Sequence, residues 1–304
     1  MRPFGGKLSL SSASLPGQTL MEDVRLAVEL GLDGLGISLA KVDAGGLSVD
    51  EVHQVLLDNG LRATMCGPAV FSILPLPAEF GGASMFAAAA ARREPSERVR
   101  LICDALPRLA ALDPLGVVVA PGAVGPADDI AASLAVIREG LAEIADAAAA
   151  LHQRVAFELI GERRGSPLHT LPDIVSFIDE VARPNVDVLF DVFHSWCEPG
   201  LHEHLRQYHD RIVSVDLNDV RVEERSGFDR ELPGRGRGRA PDIVATLLDA
   251  GYCGWWNLEV FSDDGTFGND FPDSYWKLPA AKFGAAMYDA SVQVFESATA
   301  RRAP

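Results

Sequence analysis

The stretch VDVLFDVFHSWCEPGLHEHLRQYHDRIVSVDL, residues 186–217, contains the structural unit that the rest of the chain repeats. Two short runs, VDVLFD at 186–191 and IVSVDL at 212–217, are apolar at most positions, as expected for parallel strands that are buried on both faces. Between them, residues 200–209 have the pattern of a short helix. The stretch therefore predicts a strand, a helix and a second strand parallel to the first.

The same alternation extends in both directions along the chain. Six further strands are predicted at 7–12, 34–39, 61–66, 115–120, 154–159 and 255–260. Seven further helices are predicted at 18–30, 48–59, 95–112, 127–151, 171–182, 240–250 and 278–298. Ser48, with Glu51 three residues later, forms a capping box at the start of one of them.

Eight strands that are each followed by a helix are typical of a single α/β domain folded as a (β/α)8 TIM barrel. A doubly wound open sheet shows the same alternation. The count of eight favours the barrel, and so does the absence of a Gly-x-Gly-x-x-Gly segment after the first strand. No break in composition divides the chain, so we expect one domain over residues 1–304.

Composition limits the partners and the location of the protein. The formal net charge of −16 disfavours nucleic acid or an anionic membrane as a partner, because both bind basic surfaces. The sequence has no apolar run of about 18 residues, and its first residues lack the apolar segment of a secretory signal, so we expect neither a membrane span nor secretion. Its four cysteines are far apart and include no Cys-x-x-Cys pair, which predicts reduced thiols in a cytoplasmic protein.

Two βα loops are longer than the others and are predicted insertions. The loop at 67–94 is apolar and rich in Pro and Gly, and the loop at 261–276 is acidic and aromatic. Both follow predicted strands, so we expect them at the barrel face on which active sites are built. The alternative is that they form subunit contacts, and the apolar loop is compatible with a homo-oligomer.

Four predicted strands carry an acidic residue near the carboxyl end, where an apolar residue would pack better. These residues are Glu158, Asp191, Asp216 and Glu259, on the fifth to eighth strands. A single acid at such a position is often a partner in a structural ion pair, but four on successive strands favour convergence on one site. Converging carboxylates repel one another, and a divalent cation removes the repulsion. Oxygen ligands indicate Mn²⁺ or Mg²⁺, with Co²⁺ or Zn²⁺ as alternatives.

Five segments stand out around and after the acidic strand ends: FEL with Glu158, FDVFHSW at 190–196, NDVR at 218–221, FDRELPGRG at 228–236 and GYCGWWNLEVFSDDGTFGN at 251–269. Through these segments the chain resembles the xylose isomerase-like TIM barrel superfamily of sugar isomerases and epimerases, and in particular its sugar phosphate isomerase/epimerase-type proteins. The resemblance covers nearly the whole chain.

In the keto-sugar 3-epimerases of this superfamily, a Glu, an Asp, a His and a Glu on strands five to eight hold the metal. The resemblance implies that Glu158, Asp191, Asp216 and Glu259 are the ligands, and that Glu158 and Glu259 also move the proton. Asp216 stands where relatives generally have His, which adds a negative charge and shortens the reach of the side chain. The PGRGRG segment also departs from relatives, which usually have an acid after PG.

Three further residues are candidates for binding substrate. His194 follows Asp191 by three residues, and the resemblance implies that it holds a substrate oxygen; the alternative is that it caps the next helix. Arg221, or Arg225, is suited to bidentate hydrogen bonds with a polyol or a phosphate. For Arg221 the alternative is a surface ion pair with Glu223 or Glu224.

The third candidate is Trp196, an aromatic side chain that can form a wall of a sugar pocket. The segment PGRGRGR at 233–239 is neither a Walker loop nor a dinucleotide motif. It is suited either to wrapping a phosphate or carboxylate or, as we favour, to a turn that leads into the helix at 240–250.

The sequence thus predicts a divalent-metal-dependent isomerase or epimerase of a ketose or related carbohydrate, which removes a proton next to a carbonyl and passes through an enediolate. A lyase or dehydratase acting on a keto-polyol of the inosose type or on a 3-oxo-glycoside would share the first step. A sugar-binding protein with a degenerate site is a non-enzymatic alternative. An apurinic endonuclease is disfavoured, since the chain has seven histidines, of which one lies at a predicted strand end, and a charge of −16.

Overall fold

A computed structural model describes residues 6–77, 80, 86–91, 93–125, 127–161 and 165–300 of the chain. Within these residues nine parallel strands occupy the eight predicted positions. They are β1 (Lys7–Ser11), β2 (Gly34–Gly36), β3 (Arg62–Ala63), β4 (Met65–Cys66), β5 (Gly116–Val119), β6 (Val155–Leu159), β7 (Val186–Asp191), β8 (Ile212–Leu217) and β9 (Trp255–Leu258).

The sheet closes into a barrel at the third predicted strand, residues 61–66, which the structure divides into β3 and β4. Their order is β3-β2-β1-β9-β8-β7-β6-β5-β4, so β3 and β4 lie at the two ends. Only Thr64 separates these two strands in sequence, and one continuous extended segment therefore joins both edges. The Ile37 N–H donates to the Met65 carbonyl, and the Leu115 N–H donates to the Ala63 carbonyl. The prediction of a TIM barrel is confirmed, because a closed ring leaves no free edge of the kind that an open doubly wound sheet has.

All eight predicted helices are present. The helices are α1 (Leu20–Glu29), α2 (Leu39–Ala44), α3 (Val49–Asp58), α4 (Ala87–Ala90), α5 (Pro95–Ala110), α6 (Ile130–Ala150), α7 (Leu171–Val181), α8 (Val192–Ser195), α9 (Leu201–Tyr208), α10 (Ala240–Ala250) and α11 (Ala280–Ala300). The capping box at the start of α3 is confirmed, with Ser48 Oγ accepting from the Glu51 N–H at 3.2 Å and the Glu51 carboxylate accepting from the Ser48 N–H at 2.8 Å. The short helices α2, α4 and α8 were not predicted, since four to six residues carry too little periodicity to identify a helix.

Alternation along the strands decides which side chains enter the barrel. On β6, Phe157 points outward and its ring stacks on Phe177 of α7, with 6.1 Å between the ring centroids. Neighbouring residues of a strand face opposite sides, so Ala156 and Glu158 point into the barrel. Ala156 packs there with Met65 and Leu189 in a small apolar layer. The carboxylate of Glu158 lies beyond this layer, towards the carboxyl ends of the strands.

The structure describes only part of the chain on which two other expectations depend, the single domain and the lack of a membrane span. Residues 78–79, 81–85 and 92 of the insertion at 67–94, together with the chain ends at 1–5 and 301–304, lie outside the described residues. The single domain over residues 1–304 therefore stays a prediction. Among the helices of the described segments, none is long and apolar enough to cross a membrane.

Candidate metal centre and active site

The register of β6 to β9 places the four predicted carboxylates over the barrel mouth. Asp191 at the end of β7 lies level with Asp216 on β8, and Asp216 lies level with Asn257 on β9. Glu259 comes two residues after Asn257. Glu158 is level with Leu189, two residues before Asp191. The side chains are thus staggered around the mouth, as the tilt of strands in a closed barrel requires.

Asp191 is held by the start of helix α8, because it is the N-cap residue of that helix. Its Oδ1 accepts hydrogen bonds from the Phe193 N–H and from Asn218 Nδ2, both at 2.8 Å. Its Oδ2 is buried and lies 2.9 Å from Arg230 Nη1 and 3.5 Å from His194 Nε2. Two donors therefore fix one oxygen of the carboxylate and leave the other directed to the site.

Asp216 is held by a relay across the barrel interior. Asn257 Nδ2 donates to Asp216 Oδ1 at 2.7 Å, and Ser9 Oγ donates to Asn257 Oδ1 at 2.9 Å. The serine thus fixes which end of the amide faces the carboxylate. Burial and the negative charge of the neighbouring carboxylates, that of Glu259 foremost, raise the pKa of Asp216 well above its ordinary value.

Arg230 connects two of the carboxylates, Asp191 and Glu259, and the sequence analysis did not identify it as a site residue. Its Nη1 lies 2.9 Å from Asp191 Oδ2 and 3.0 Å from Glu259 Oε2, while Ser11 Oγ donates to Glu259 Oε1 at 3.0 Å. The side chain of Arg230 is only 4% exposed. It belongs to a loop after β8 and not to a strand end, so the search for polar residues at strand ends did not include it. A signal existed in the segment FDRELPGRG, where Arg230 stands between two acidic residues in a segment that carries the family resemblance.

The carboxylates of the site carry more negative charge than Arg230 alone can neutralise. Burial, and then the charges of Glu259 and Asp191, raise the pKa of Glu158 to about 8. Burial together with the charge of Asp191 raises the pKa of Glu259 against the opposing effect of Arg230. One guanidinium thus faces four carboxylates, and a second cation would relieve their mutual repulsion.

The residues fit a divalent cation, and they offer two overlapping ligand sets. One set is Asp191, Asp216 and Glu259; the other is Glu158, Asp191 and His194, and within each set the ligand atoms lie within 4.8 Å of one another. Asp191 is common to both sets. Its Oδ2 is buried and is ion-paired with Arg230 Nη1 at 2.9 Å, so a metal that bound this oxygen would share it with the guanidinium. The expected quartet is thus brought together as two triads sharing Asp191, and His194 joins one of them.

The structure places the three candidates for substrate binding differently. His194 lines the cavity above the carboxylates, with its Nε2 4.0 Å from Glu158 Oε1. It is not a helix cap, since Asp191 caps α8 and Gly200 precedes α9. The guanidinium carbon of Arg237 lies 4.9 Å from the ring centroid of Trp196. Trp196 lines a separate surface depression and not the cavity above the carboxylates.

Arg221 and Arg225 pair with carboxylates of the loop after β8, and Arg225 also pairs with Asp273 of the insertion at 261–276. Arg221 Nε lies 2.7 Å from Asp229 Oδ2, its Nη1 lies 3.2 Å from Glu231 Oε2, and Arg225 Nη1 lies 2.7 Å from Asp273 Oδ1. The expected alternative partners of Arg221, Glu223 and Glu224, are therefore not the ones it uses. Because Asp229 and Glu231 flank Arg230 in sequence, these ion pairs hold the loop that presents Arg230.

The glycine-rich segment at 233–239 wraps a carboxylate of the protein itself. The Asp219 carboxylate accepts from the N–H groups of Gly234 at 3.0 Å and of Gly238 and Val220 at 2.7 Å. A Cβ on Gly236 would come within 2.1 Å of the Val220 carbonyl oxygen, so only glycine allows this approach. The N–H groups that would bind a phosphate are thus occupied by Asp219. This agrees with the favoured interpretation of the segment as a turn.

Glu158 and Glu259 lie in the floor of a cavity at the barrel mouth, and Asp191 and Asp216 are buried beneath it. It encloses about 850 Å³, including the part that is open to solvent. Its polar side chains come mainly from the strand ends, and the rest of its lining is apolar and aromatic. The polar lining residues are Ser11, Ser12, Ser38, Glu158, His194, Arg230 and Glu259. Such a cavity has the size and the mixed lining of a site for a small molecule.

Comparison with known proteins identifies the same architecture. The model of the family described as "xylose isomerase-like TIM barrel" matches residues 24–287. The protein SMc04130 from Sinorhizobium meliloti 1021 is 21% identical, with a TM-score of 0.76, and the match covers 95% of this chain and 98% of that one. The IOLI protein with a binding zinc atom is 18% identical over the same shares, also with a TM-score of 0.76.

A sugar epimerase has the same fold. The D-psicose 3-epimerase from Clostridium cellulolyticum H10 is 19% identical with a TM-score of 0.72, and the match covers 96% of this chain and 99% of that one. No curated protein sequence matches this chain significantly. At these identities the structural likeness concerns the fold, and the chemistry depends on the residues at the mouth.

Proposed function

This chain belongs to the xylose isomerase-like TIM barrel family, and we propose that it is a divalent-metal-dependent isomerase or epimerase of a ketose or related carbohydrate. The reaction is removal of a proton next to a carbonyl, followed by return of a proton to the resulting enediolate. One observation carries the proposal: Glu158 and Glu259 enter the same cavity from β6 and from the end of β9, with Asp191 and Asp216 on the two strands between them. Two proton-transfer groups that flank one site suit both isomerisation and epimerisation.

The metal would be held by Asp191, Asp216 and Glu259, with Glu158 or His194 as a further ligand. When bound, a divalent ion supplies a Lewis acid that polarises a substrate carbonyl and offsets the charge of the carboxylates. Mn²⁺ or Mg²⁺ is the preferred ion for a set dominated by carboxylate oxygens. Participation of His194 would make Zn²⁺ or Co²⁺ a closer alternative.

The chain's own residues would then bind the substrate and move the proton. Arg230 and His194 line the cavity and can donate hydrogen bonds to the oxygen on which charge develops. Burial and the neighbouring carboxylates raise the pKa of Glu158 to about 8 when no metal is bound. A nearby cation favours the ionised carboxylate and lowers this pKa towards the physiological pH range. A carboxylate with a pKa near neutral can both accept and return a proton, which is the requirement for a general base that later acts as an acid.

The structural likeness to a D-psicose 3-epimerase supports this class of reaction on this barrel. We also propose that the protein is cytoplasmic and that its partner is a small carbohydrate, with a homo-oligomer compatible with the apolar insertion. The net charge of −16 supports the further proposal that it binds neither nucleic acid nor an anionic membrane.

The test is exchange of a carbon-bound hydrogen of the substrate with D₂O, followed by NMR on Mn²⁺-loaded protein with D-fructose, D-tagatose and a 3-keto-glucoside. We expect Glu158→Gln and Glu259→Gln each to slow the exchange by about a hundredfold or more, because each removes a proton-transfer group. Glu180→Gln is the matched control, since Glu180 lies on the outer surface, paired with Arg138. Full exchange in both site variants, or no rise in the melting temperature with Mn²⁺ or Mg²⁺, would contradict the proposal.

A further inference from the structure

We infer that the substrate carries a flat apolar substituent, such as an aromatic group, beside its keto-sugar part; this rests on the proposed function and deepens it. The observation is a set of aromatic rings that line the cavity next to the carboxylates, which we name the aromatic wall. Its members are Phe71, Phe80, Phe86, Phe228 and Phe261.

The wall is built from three loops that are far apart in sequence. The insertion at 67–94 supplies Phe80 and Phe86, whose ring centroids are 5.8 Å apart. Phe228, from the loop after β8, lies 4.7 Å from Phe80, and Phe261, from the insertion at 261–276, lies 6.1 Å from Phe86. All three contacts are edge-to-face, the arrangement that aromatic pairs prefer. The two predicted insertions therefore meet over the site and form one continuous apolar surface.

Residues behind the wall hold it in place. Phe267 stacks on Phe228 with 3.8 Å between the ring centroids, and Trp276 packs edge-on against Phe261. The Asp263 carboxylate accepts from the Phe267 N–H at 2.8 Å, which fixes the backbone of that loop. A wall that is ordered before the ligand arrives loses little entropy on binding, as an evolved binding surface should.

The wall is continuous with the reactive groups. The ring of Phe261 lies 4.5 Å from the guanidinium carbon of Arg230, and the same guanidinium reaches Asp191 and Glu259. A substituent on a substrate whose carbonyl lies near Arg230 can therefore reach Phe261 and, beyond it, Phe86.

One aromatic ring can pack on the face of a sugar, whereas five adjoining rings form an apolar surface over which most hydroxyls of a ketohexose would have no hydrogen-bond partner. A free ketohexose bears an oxygen on every carbon, and each hydroxyl that is buried without a hydrogen-bond partner costs binding energy. The wall side chains carry no polar atoms, whereas the polar side chains of the described lining are grouped at the floor. Phe71, Phe80 and Phe86 are only partly buried, so they keep ring surface that a ligand can cover. The division into a polar floor and an aromatic wall fits a keto-sugar linked to a flat apolar group.

The test is a matched pair of probes, methyl and phenyl 3-keto-β-D-glucopyranoside, titrated calorimetrically into Mn²⁺-loaded protein. We expect the phenyl probe to bind at least about tenfold more tightly than the methyl probe. The variant Phe86→Ala should abolish this preference, because Phe86 contacts four other rings. Phe271→Ala is the matched control, since Phe271 lies in the insertion at 261–276 but packs under Arg225, 4.0 Å from its guanidinium carbon.

Equal affinities for the two probes would overturn the inference, and so would a preference that survives in Phe86→Ala. Should that variant fail to fold, Phe71→Ala tests the same surface from the edge of the wall. Hydrogen exchange on the methyl probe reports separately on the proposed function. Exchange without a preference for the phenyl probe refutes only the inference that the substrate carries a flat apolar group. A preference for the phenyl probe without exchange refutes only the proposed reaction.

Discussion

Replacement of Glu158 by Gln should make the metal-free protein more stable at alkaline pH. In the folded protein the pKa of this side chain is raised from 4.5 to about 8, chiefly by burial, and the side chain is only 13% exposed. At a pH below the pKa of the unfolded chain, the Glu158 carboxyl is protonated in both the folded and the unfolded protein. As the pH rises above it, the unfolded chain ionises while the folded chain does not, so stability falls until the pH passes the folded pKa.

The size of the effect follows from the shift. Each pH unit between the two pKa values costs about 1.4 kcal/mol, and the loss levels off near the folded pKa of about 8. From about pH 6 to pH 8.5 the wild type should therefore lose about 2.5 kcal/mol relative to Glu158→Gln. The assay is urea unfolding of the EDTA-treated proteins at both pH values. Glu180→Gln should follow the wild type, because Glu180 is an exposed surface residue.

Mn²⁺ should reduce the difference in stability between the wild type and Glu158→Gln at alkaline pH. At about a hundred times its dissociation constant the ion adds about 2.7 kcal/mol to the wild type, and it should add less to Glu158→Gln if Glu158 is a ligand. If the free energy of unfolding of the two metal-free proteins changed equally with pH, the reasoning would be refuted. That result would mean that burial and the neighbouring carboxylates do not raise the pKa of Glu158.

Two further predictions concern the neighbours of Glu158. Arg230→Gln should lower the free energy of unfolding of the metal-free protein by about 3–5 kcal/mol, because it removes the buried cation between Asp191 and Glu259; urea unfolding measures this, and unchanged stability would show that the ion pairs contribute little. Asp216→His should shift the metal preference from Mn²⁺ towards Zn²⁺, because it exchanges a carboxylate oxygen for an imidazole nitrogen. Equilibrium dialysis against equal concentrations of both ions, with metal analysis, checks this, and an unchanged ratio would remove Asp216 from the ligand set.

The eight strand positions were readable in the sequence because parallel strands buried on both faces leave runs of apolar residues. The same property exposed the four carboxylates, since an acid near the end of such a run is conspicuous. Strand order around a barrel follows chain order, so acids on the fifth to eighth strands had to become neighbours.

Local pattern did not identify the other parts of the site. Arg230 became visible only in the tertiary structure, because the loop after β8 folds back over the mouth and pairs with the segment after β9, where the Arg230 N–H donates to the Phe261 carbonyl. Arg221 was a candidate for substrate binding on residue type alone, whereas its position is determined by ion pairs with Asp229 and Glu231. Loop side chains have no periodicity that indicates their partners.

The sequence by itself thus determined the barrel and the acidic strand ends, because both depend on short-range alternation and on the order of the strands. Only the tertiary structure decided how the carboxylates divide into two triads, that Asp219 occupies the glycine-rich turn, and that two distant insertions join in one aromatic wall. These features are contacts between segments that are far apart along the chain. Barrel closure and loop packing determine such contacts, and neither leaves a local signature.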